Sequence, residues 1–199
     1  MTVIDKSDAL AHIRGQKLDL GCGPRKAAGY LGVDAIDYPG VDIVGDIYEV
    51  LARVPDGTLG GVYASHFFEH VENLAPLLDE IARTLAGGAT LEVIVPHFSN
   101  PYFYSDPTHR AHFGLYTFSY YATDRLHRRE VPDYCRTASF TLRSVRLGFK
   151  SSRPFYGRYA FKRAIGAAVN LTTWTREFYE ENLCYLVPCY EVRYVLTRA

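Results

Sequence analysis

The sequence predicts an α/β fold in one domain, built on a mainly parallel sheet. Three observations point there. Short apolar segments alternate with amphipathic ones over the first hundred residues, the pattern of strands joined by helical crossovers. The stretch Lys17-Leu18-Asp19-Leu20-Gly21-Cys22-Gly23-Pro24 passes from a buried strand straight into a tight turn. Two further alternating segments, 140–147 and 190–196, supply late strands.

Taken in order, residues 4–13 have the spacing of a short helix, with Ile4, Leu10 and Ile13 as its apolar contacts. Lys17 to Leu20 is the first strand. Residues 30–34 form a second strand ending in Asp34, so close to the first that the usual crossover helix must be reduced to a turn or lost. Residues 41–46 form a third strand, ending in Asp46. Pro55-Asp56-Gly57 is a turn, and residues 61–66 are a fourth strand. Asn73 can cap a helix whose apolar face is Leu74, Leu77, Leu78, Ile81 and Leu85, stopped by Gly87-Gly88. Residues 90–96 are a fifth strand. The aromatic, His-rich stretch 97–121 has no helical period and reads as a functional loop. Residues 151–186 read as largely helical, with a break near Asn170.

The chain has 199 residues, 48% of them hydrophobic and 22% charged, which suits one soluble globular domain. The start of the chain lacks an apolar signal segment, and no apolar run is long enough to span a bilayer, so a cytoplasmic protein is expected. Cys22, Cys135, Cys184 and Cys189 are scattered, which suits reduced thiols better than a zinc site. The net charge of zero hides an asymmetry. Residues 1–100 carry 7 Lys/Arg against 14 Asp/Glu, and residues 101–199 carry 15 against 8. A basic second half is either a solvated face or an attractor of anions. No nucleic-acid-binding motif is present, so no nucleic-acid partner is expected.

The glycine turn lies where parallel sheets bind cofactors, beyond the carboxyl ends of the strands. A dinucleotide fingerprint would need a third glycine where Lys26 stands, and a P-loop would need Gly-Lys-Ser/Thr. Gly21-Cys22-Gly23 instead resembles the first motif of class I S-adenosylmethionine-dependent methyltransferases, and the chain resembles their small-molecule branch. Ser65-His66-Phe67-Phe68-Glu69-His70-Val71 resembles that family's segment after the fourth strand. Arg83-Thr84-Leu85-Ala86-Gly87-Gly88 resembles its turn before the fifth.

The resemblance implies a Rossmann-like, seven-stranded, mostly parallel sheet with helices on both faces. Its last strand would be antiparallel, with loop and helical lids after the fifth and sixth. It implies S-adenosylmethionine as cofactor, held by Asp19, Gly21, Cys22, Gly23, Asp34, Ala35, Asp46, Ile47, Ser65 and His66. In it Asp34 takes the ribose hydroxyls and Asp46 the adenine amino group. It implies a methyl acceptor, a small-molecule or sugar hydroxyl; the basic second half adds that the acceptor is anionic. Asp106-Pro107-Thr108-His109 resembles an Asp-Pro-x-His element of related enzymes. His109 is then the expected general base and Asp106 its orienter, with His66 and His97 as secondary candidates. No metal is expected, although Asp106, His109 and His112, joined by His97, offer a competing set of ligands. Tyr102, Phe103 and Tyr104 form either an aromatic wall or a lid anchor. The basic, aromatic run 153–163 covers the substrate, meets a second subunit in a homodimer, or touches an anionic membrane. Two alternatives stay open: a non-catalytic cofactor-binding module on the same fold, and a nicotinamide dehydrogenase.

Overall fold

The structure is a computed structural model and describes residues 2–132, 139–151 and 154–199. Cys135 and Arg153 of the sequence reading lie outside them. Its strands are β1 (Ile4–Asp5), β2 (Lys17–Leu20), β3 (Leu31–Asp34), β4 (Ile43–Val44), β5 (Leu59–Ser65), β6 (Leu85–Pro96), β7 (Phe140–Gly148) and β8 (Glu191–Arg198). They form one sheet in the order β1-β4-β3-β2-β5-β6-β8-β7. Strands β2 to β6 run parallel, and β8 runs antiparallel to both β6 and β7. The helices are α1 (Ile47–Leu51), α2 (Leu74–Thr84), α3 (Tyr156–Val169) and α4 (Thr173–Asn182).

All seven expected strands are present, and β1 is an eighth at the edge. The helix expected over residues 4–13 is not formed. Ile4 and Asp5 pair with β4 instead, and Ile4 is left 53% exposed. The cause is Asp5, whose carboxylate accepts the backbone N–H groups of Ala9 and Leu10 at 2.9 and 2.8 Å. That local turn competes with a helix. Only a short 3₁₀ turn, Leu10–His12, remains.

The core is continuous on both sides of the sheet, and Leu18, Leu20, Val33, Ile43, Val62 and Leu91 are almost wholly buried. Helix α2 starts as expected, with the Asn73 side chain accepting from the Ala75 N–H at 3.2 Å. It ends at Thr84, ahead of the glycine pair, where Leu85 turns extended and opens β6; the Thr84 hydroxyl bonds back to the Glu80 and Ile81 carbonyls. Arg83 at that end donates to the Leu51 carbonyl at 2.8 Å and the Val54 carbonyl at 2.9 Å. It thereby ties α2 to the last turn of α1.

Two features position the site. The β2-to-β3 crossover holds no helix, as the spacing requires. Buried Asp19 accepts the Ala27 N–H at 2.8 Å, and Lys26 pairs with Asp42 at 2.7 Å, so the connection is pinned to the sheet. The loop after β6 is pinned to α4 by one carboxylate. Glu180 Oε2 accepts the Leu115 N–H at 2.7 Å and lies 3.0 Å from His97 Nε2. The break between α3 and α4 falls at Asn170 as expected, and a Thr172/Thr175 capping box opens α4.

Candidate functional site

A cavity of about 840 Å³ opens beyond the carboxyl ends of β2, β3, β4 and β5. Its floor is the glycine turn. Gly21 and Gly23 have φ of +65° and +55°, a region that L side chains rarely adopt. A Cβ on Gly21 would also lie 2.6 Å from the Phe67 ring, whereas nothing stands within 4 Å of one on Gly23. The first glycine therefore serves packing as well as backbone shape, and the second leaves open space toward the cavity.

The expected acids converge on this space. Asp34, at the end of β3, accepts the Gly23 N–H on Oδ2 at 2.8 Å and the Ile36 N–H on Oδ1 at 2.9 Å. Each oxygen keeps a lone pair for a diol. Asp46 caps α1, taking the Tyr48 and Glu49 N–H groups on Oδ1 at 2.9 and 3.3 Å. Asp34 and Asp46 thus hold their loops and line the cavity together. Ala35 and Ile47 line it beside them.

Three residues of the expected set stand behind the wall. Asp19 is 2% exposed and braces the crossover, and burial raises the pKa of its carboxyl. The Cys22 sulfur packs where a side chain on Gly32 would be, and burial pushes the thiol up to about 11. Ser65, the last residue of β5, is absent from the lining. Sequence reasoning missed Ile36, Tyr38, Tyr48, Phe67 and His70, all on the wall. Ile36 and Tyr48 are 57% and 41% exposed, an apolar signal beside the two acids that could have found them.

His66 follows β5 with a φ of +57° and lines the same cavity. Its Nδ1 is 3.2 Å from Glu69 Oε1, and its Nε2 is 3.8 Å from Glu191 Oε2. The Glu191 carboxylate, and then that of Glu69, raises its pKa to about 9. At neutral pH it is an imidazolium. The raised pKa favours its protonated form and works against the expected role as a spare base. His97 is fully buried: its Nδ1 accepts the Ser99 N–H at 3.1 Å, and its Nε2 meets Glu180. It ties loop to helix and lines neither this cavity nor the next one described.

His109 is half-buried between the rings of Phe103 and His70, at centroid distances of 4.7 and 5.0 Å. Its Nδ1 donates to the Phe103 carbonyl at 2.9 Å, which leaves Nε2 as the basic nitrogen. The orienter is that carbonyl. The expected orienter, Asp106, is turned toward Thr108, and its Oδ2 lies 3.6 Å from Nε2. Hydrogen bonds from Thr108 hold the Asp106 carboxyl below its ordinary range. Neither His109 nor Asp106 lines the cavity; His109 packs behind His70, which does line it and whose Nδ1 lies 2.9 Å from the Thr108 hydroxyl. Glu69, His70 and His109 bring one donor atom each within 4.8 Å of one another. Among the described residues this is the set that could hold a metal ion; it shares His109 with the set expected from sequence and excludes Asp106, His112 and His97. Phe103 is buried and anchors the loop, while Tyr102 and Tyr104 are about two-thirds exposed.

Residues 9–136 match the family model of a methyltransferase domain. No curated protein matches the chain. Among solved structures, a SAM-dependent methyltransferase from Archaeoglobus fulgidus is 20% identical. The match covers 98% of this chain and 92% of that one, with a TM-score of 0.57. An S-adenosylmethionine-dependent methyltransferase from Mesorhizobium loti is 15% identical over 98% of both chains, with a TM-score of 0.52. A phosphoethanolamine N-methyltransferase from Haemonchus contortus, in complex with phosphomonomethylethanolamine and S-adenosylhomocysteine, is 12% identical. That match covers 96% of this chain and 52% of that one, with a TM-score of 0.50. No helix among the described residues is long and apolar enough to cross a membrane. A cavity of this size, with a glycine turn, two carboxylates and apolar plates, has room for a nucleoside with an amino-acid tail. The matched domain and the cavity lead to one conclusion: the chain belongs to the methyltransferase family, with S-adenosylmethionine as its cofactor.

Proposed function

We propose that the protein methylates a hydroxyl on a small anionic molecule or sugar, with His109 accepting the hydroxyl proton. The observation that carries this reading is the fixed tautomer of His109 beside the cofactor cavity. Its Nδ1–H is committed to the Phe103 carbonyl, so Nε2 is the nitrogen that can take a proton. When bound, the cofactor supplies an activated methyl group on a sulfonium. The chain has to hold the acceptor in line, keep water out and receive one proton. Orientation alone is worth about 7–11 kcal/mol of barrier, and a placed base adds typically about 10²–10⁴-fold. Gly21, Gly23, Asp34, Ala35, Asp46 and Ile47 hold the cofactor, with Asp34 on the ribose and Asp46 on the adenine. The basic second half of the chain, with 15 Lys/Arg against 8 Asp/Glu, supports an anionic acceptor.

The test is release of S-adenosylhomocysteine over a panel of acceptors that differ only in charge. Anionic hydroxyl compounds are expected to turn over faster than their neutral analogues, and equal rates would remove the anionic assignment. His109→Ala is expected to lower kcat at least a hundredfold and leave cofactor affinity unchanged. Full turnover by that variant would take His109 out of the mechanism.

A further inference from the structure

A second cavity, of about 660 Å³, lies beside the first at the same end of the sheet. Asn100 and Tyr102 reach it from the loop after β6, Lys150 from the end of β7, Arg158 and Lys162 from α3, and Tyr190 from the start of β8. Among the described residues its lining holds three cations and no carboxylate. Lys150 is neutralised from outside the lining, at 2.5 Å from Glu191 Oε2, and sits 5.4 Å over the Tyr190 ring. Glu191 is the carboxylate that faces His66, so the two cavities meet across the row Lys150, Glu191, His66.

Arg158 and Lys162 stand one helical turn apart, on one face of α3. The Lys162 ammonium donates only to the Pro188 carbonyl, at 3.2 Å, among its described bonds. Burial and then repulsion by Arg158 hold its pKa below the ordinary lysine value. Arg158 donates from Nε to the Ser151 hydroxyl at 2.7 Å and lines the same cavity, so an anion there would meet both cations. The start of α3 points the same way, with no side-chain cap and no acid in its first turn, and Arg158 stands there instead.

We infer that this cavity is a binding site for an oxyanion, a phosphate or carboxylate group, gripped by Arg158 and Lys162. Resting on the methyl-transfer reading, the anion is the acceptor's recognition group, seated beside the cofactor so that the hydroxyl to be methylated faces His66 and His109. Guanidinium and ammonium groups give charge-assisted bonds to such oxygens. Asn100 and Tyr102 add polar and aromatic surface for the body of the molecule.

The experiment is calorimetric titration of the full chain at low ionic strength with inorganic phosphate and, separately, with acetate. Saturable binding of one anion per chain is expected, and the tighter of the two identifies the group. Arg158→Gln with Lys162→Gln is expected to weaken it at least tenfold. Arg158 is exposed and Lys162 only partly buried, so the double variant should fold. S-Adenosylmethionine is titrated into the same samples and should bind wild type and variant within twofold of each other. Unaltered anion binding by the variant overturns the site, as does an absence of saturable binding. Vesicles of phosphatidylglycerol test the other source: adsorption to them with no binding of free anion overturns the site and hands these cations to a membrane surface. If the chain binds an anion but not S-adenosylmethionine, the anion site stands and the methyl-transfer reading falls. If it binds S-adenosylmethionine but neither anion, the reading stands and the site falls.

Discussion

His66 Nε2 lies 3.8 Å from Glu191 Oε2, and the same oxygen receives Lys150 Nζ at 2.5 Å. One carboxylate on β8 thus sits between an imidazolium in the cofactor cavity and a lysine in the basic cavity. Burial alone would raise the Glu191 pKa, but the bonds from His66 and Lys150 outweigh it and hold the group ionised.

That pairing has a pH signature. The folded-state pKa of His66, about 9, is above its unfolded value near 6.5. Its contribution to stability is fully present below pH ~6.5 and is lost as pH rises through ~9. Wild type is expected to lose thermal stability over that window relative to His66→Asn, whose side chain does not titrate and tolerates the left-handed φ. Parallel Tm–pH curves for the two proteins would contradict the pairing.

Asp34→Ala removes the acceptor of the Gly23 and Ile36 N–H groups as well as the proposed ribose ligand. Cofactor affinity is expected to fall about 10–100-fold, the loss of roughly 1.4–2.8 kcal/mol. Calorimetry checks it; an unchanged Kd would detach Asp34 from the cofactor.

Gly21→Ala meets two obstacles, a positive φ and the Phe67 ring at 2.6 Å from the new methyl group. A loss of about 1–3 kcal/mol is expected, with weaker cofactor binding as the turn shifts. Denaturant unfolding measures the first effect and calorimetry the second. Gly23→Ala has the same strain without the clash and should cost less.

Arg83→Gln breaks the bonds to the Leu51 and Val54 carbonyls that join α2 to α1. About 2 kcal/mol is expected for charge-assisted bonds at a partly buried site, or roughly 4–8 °C in Tm. Cofactor affinity should move little, because no bond of Arg83 reaches the cavity lining.

Dialysis against a chelator addresses the Glu69, His70 and His109 cluster. With His109 acting as a base, activity is expected to survive it. Activity that is lost and then restored by a divalent cation would assign these residues to a metal.

The site's legibility in the sequence follows the range of the forces involved. The glycine turn, Asp34 and Asp46 could be read because strand ends and turns are set by neighbours in the chain. Asp19 and Cys22 sit in the same motif, yet their side chains point into the sheet, and only the Ala27 and Gly32 contacts decide that. Residues 4–13 failed as a helix because Asp5 offered the backbone a closer acceptor. Glu191 carried no local sign, since its partners His66 and Lys150 come from other strands. His97 looked like a base at a strand end; its partner Glu180 is 83 positions away, and nothing nearer announces it.

Glu180 makes one further point. Because a single side chain receives both His97 and the Leu115 amide, the two segments it joins should open to solvent together. Amides of the loop after β6 and of α4 would then exchange deuterium as one cooperative block, and Glu180→Gln would split it into two that exchange at separate rates.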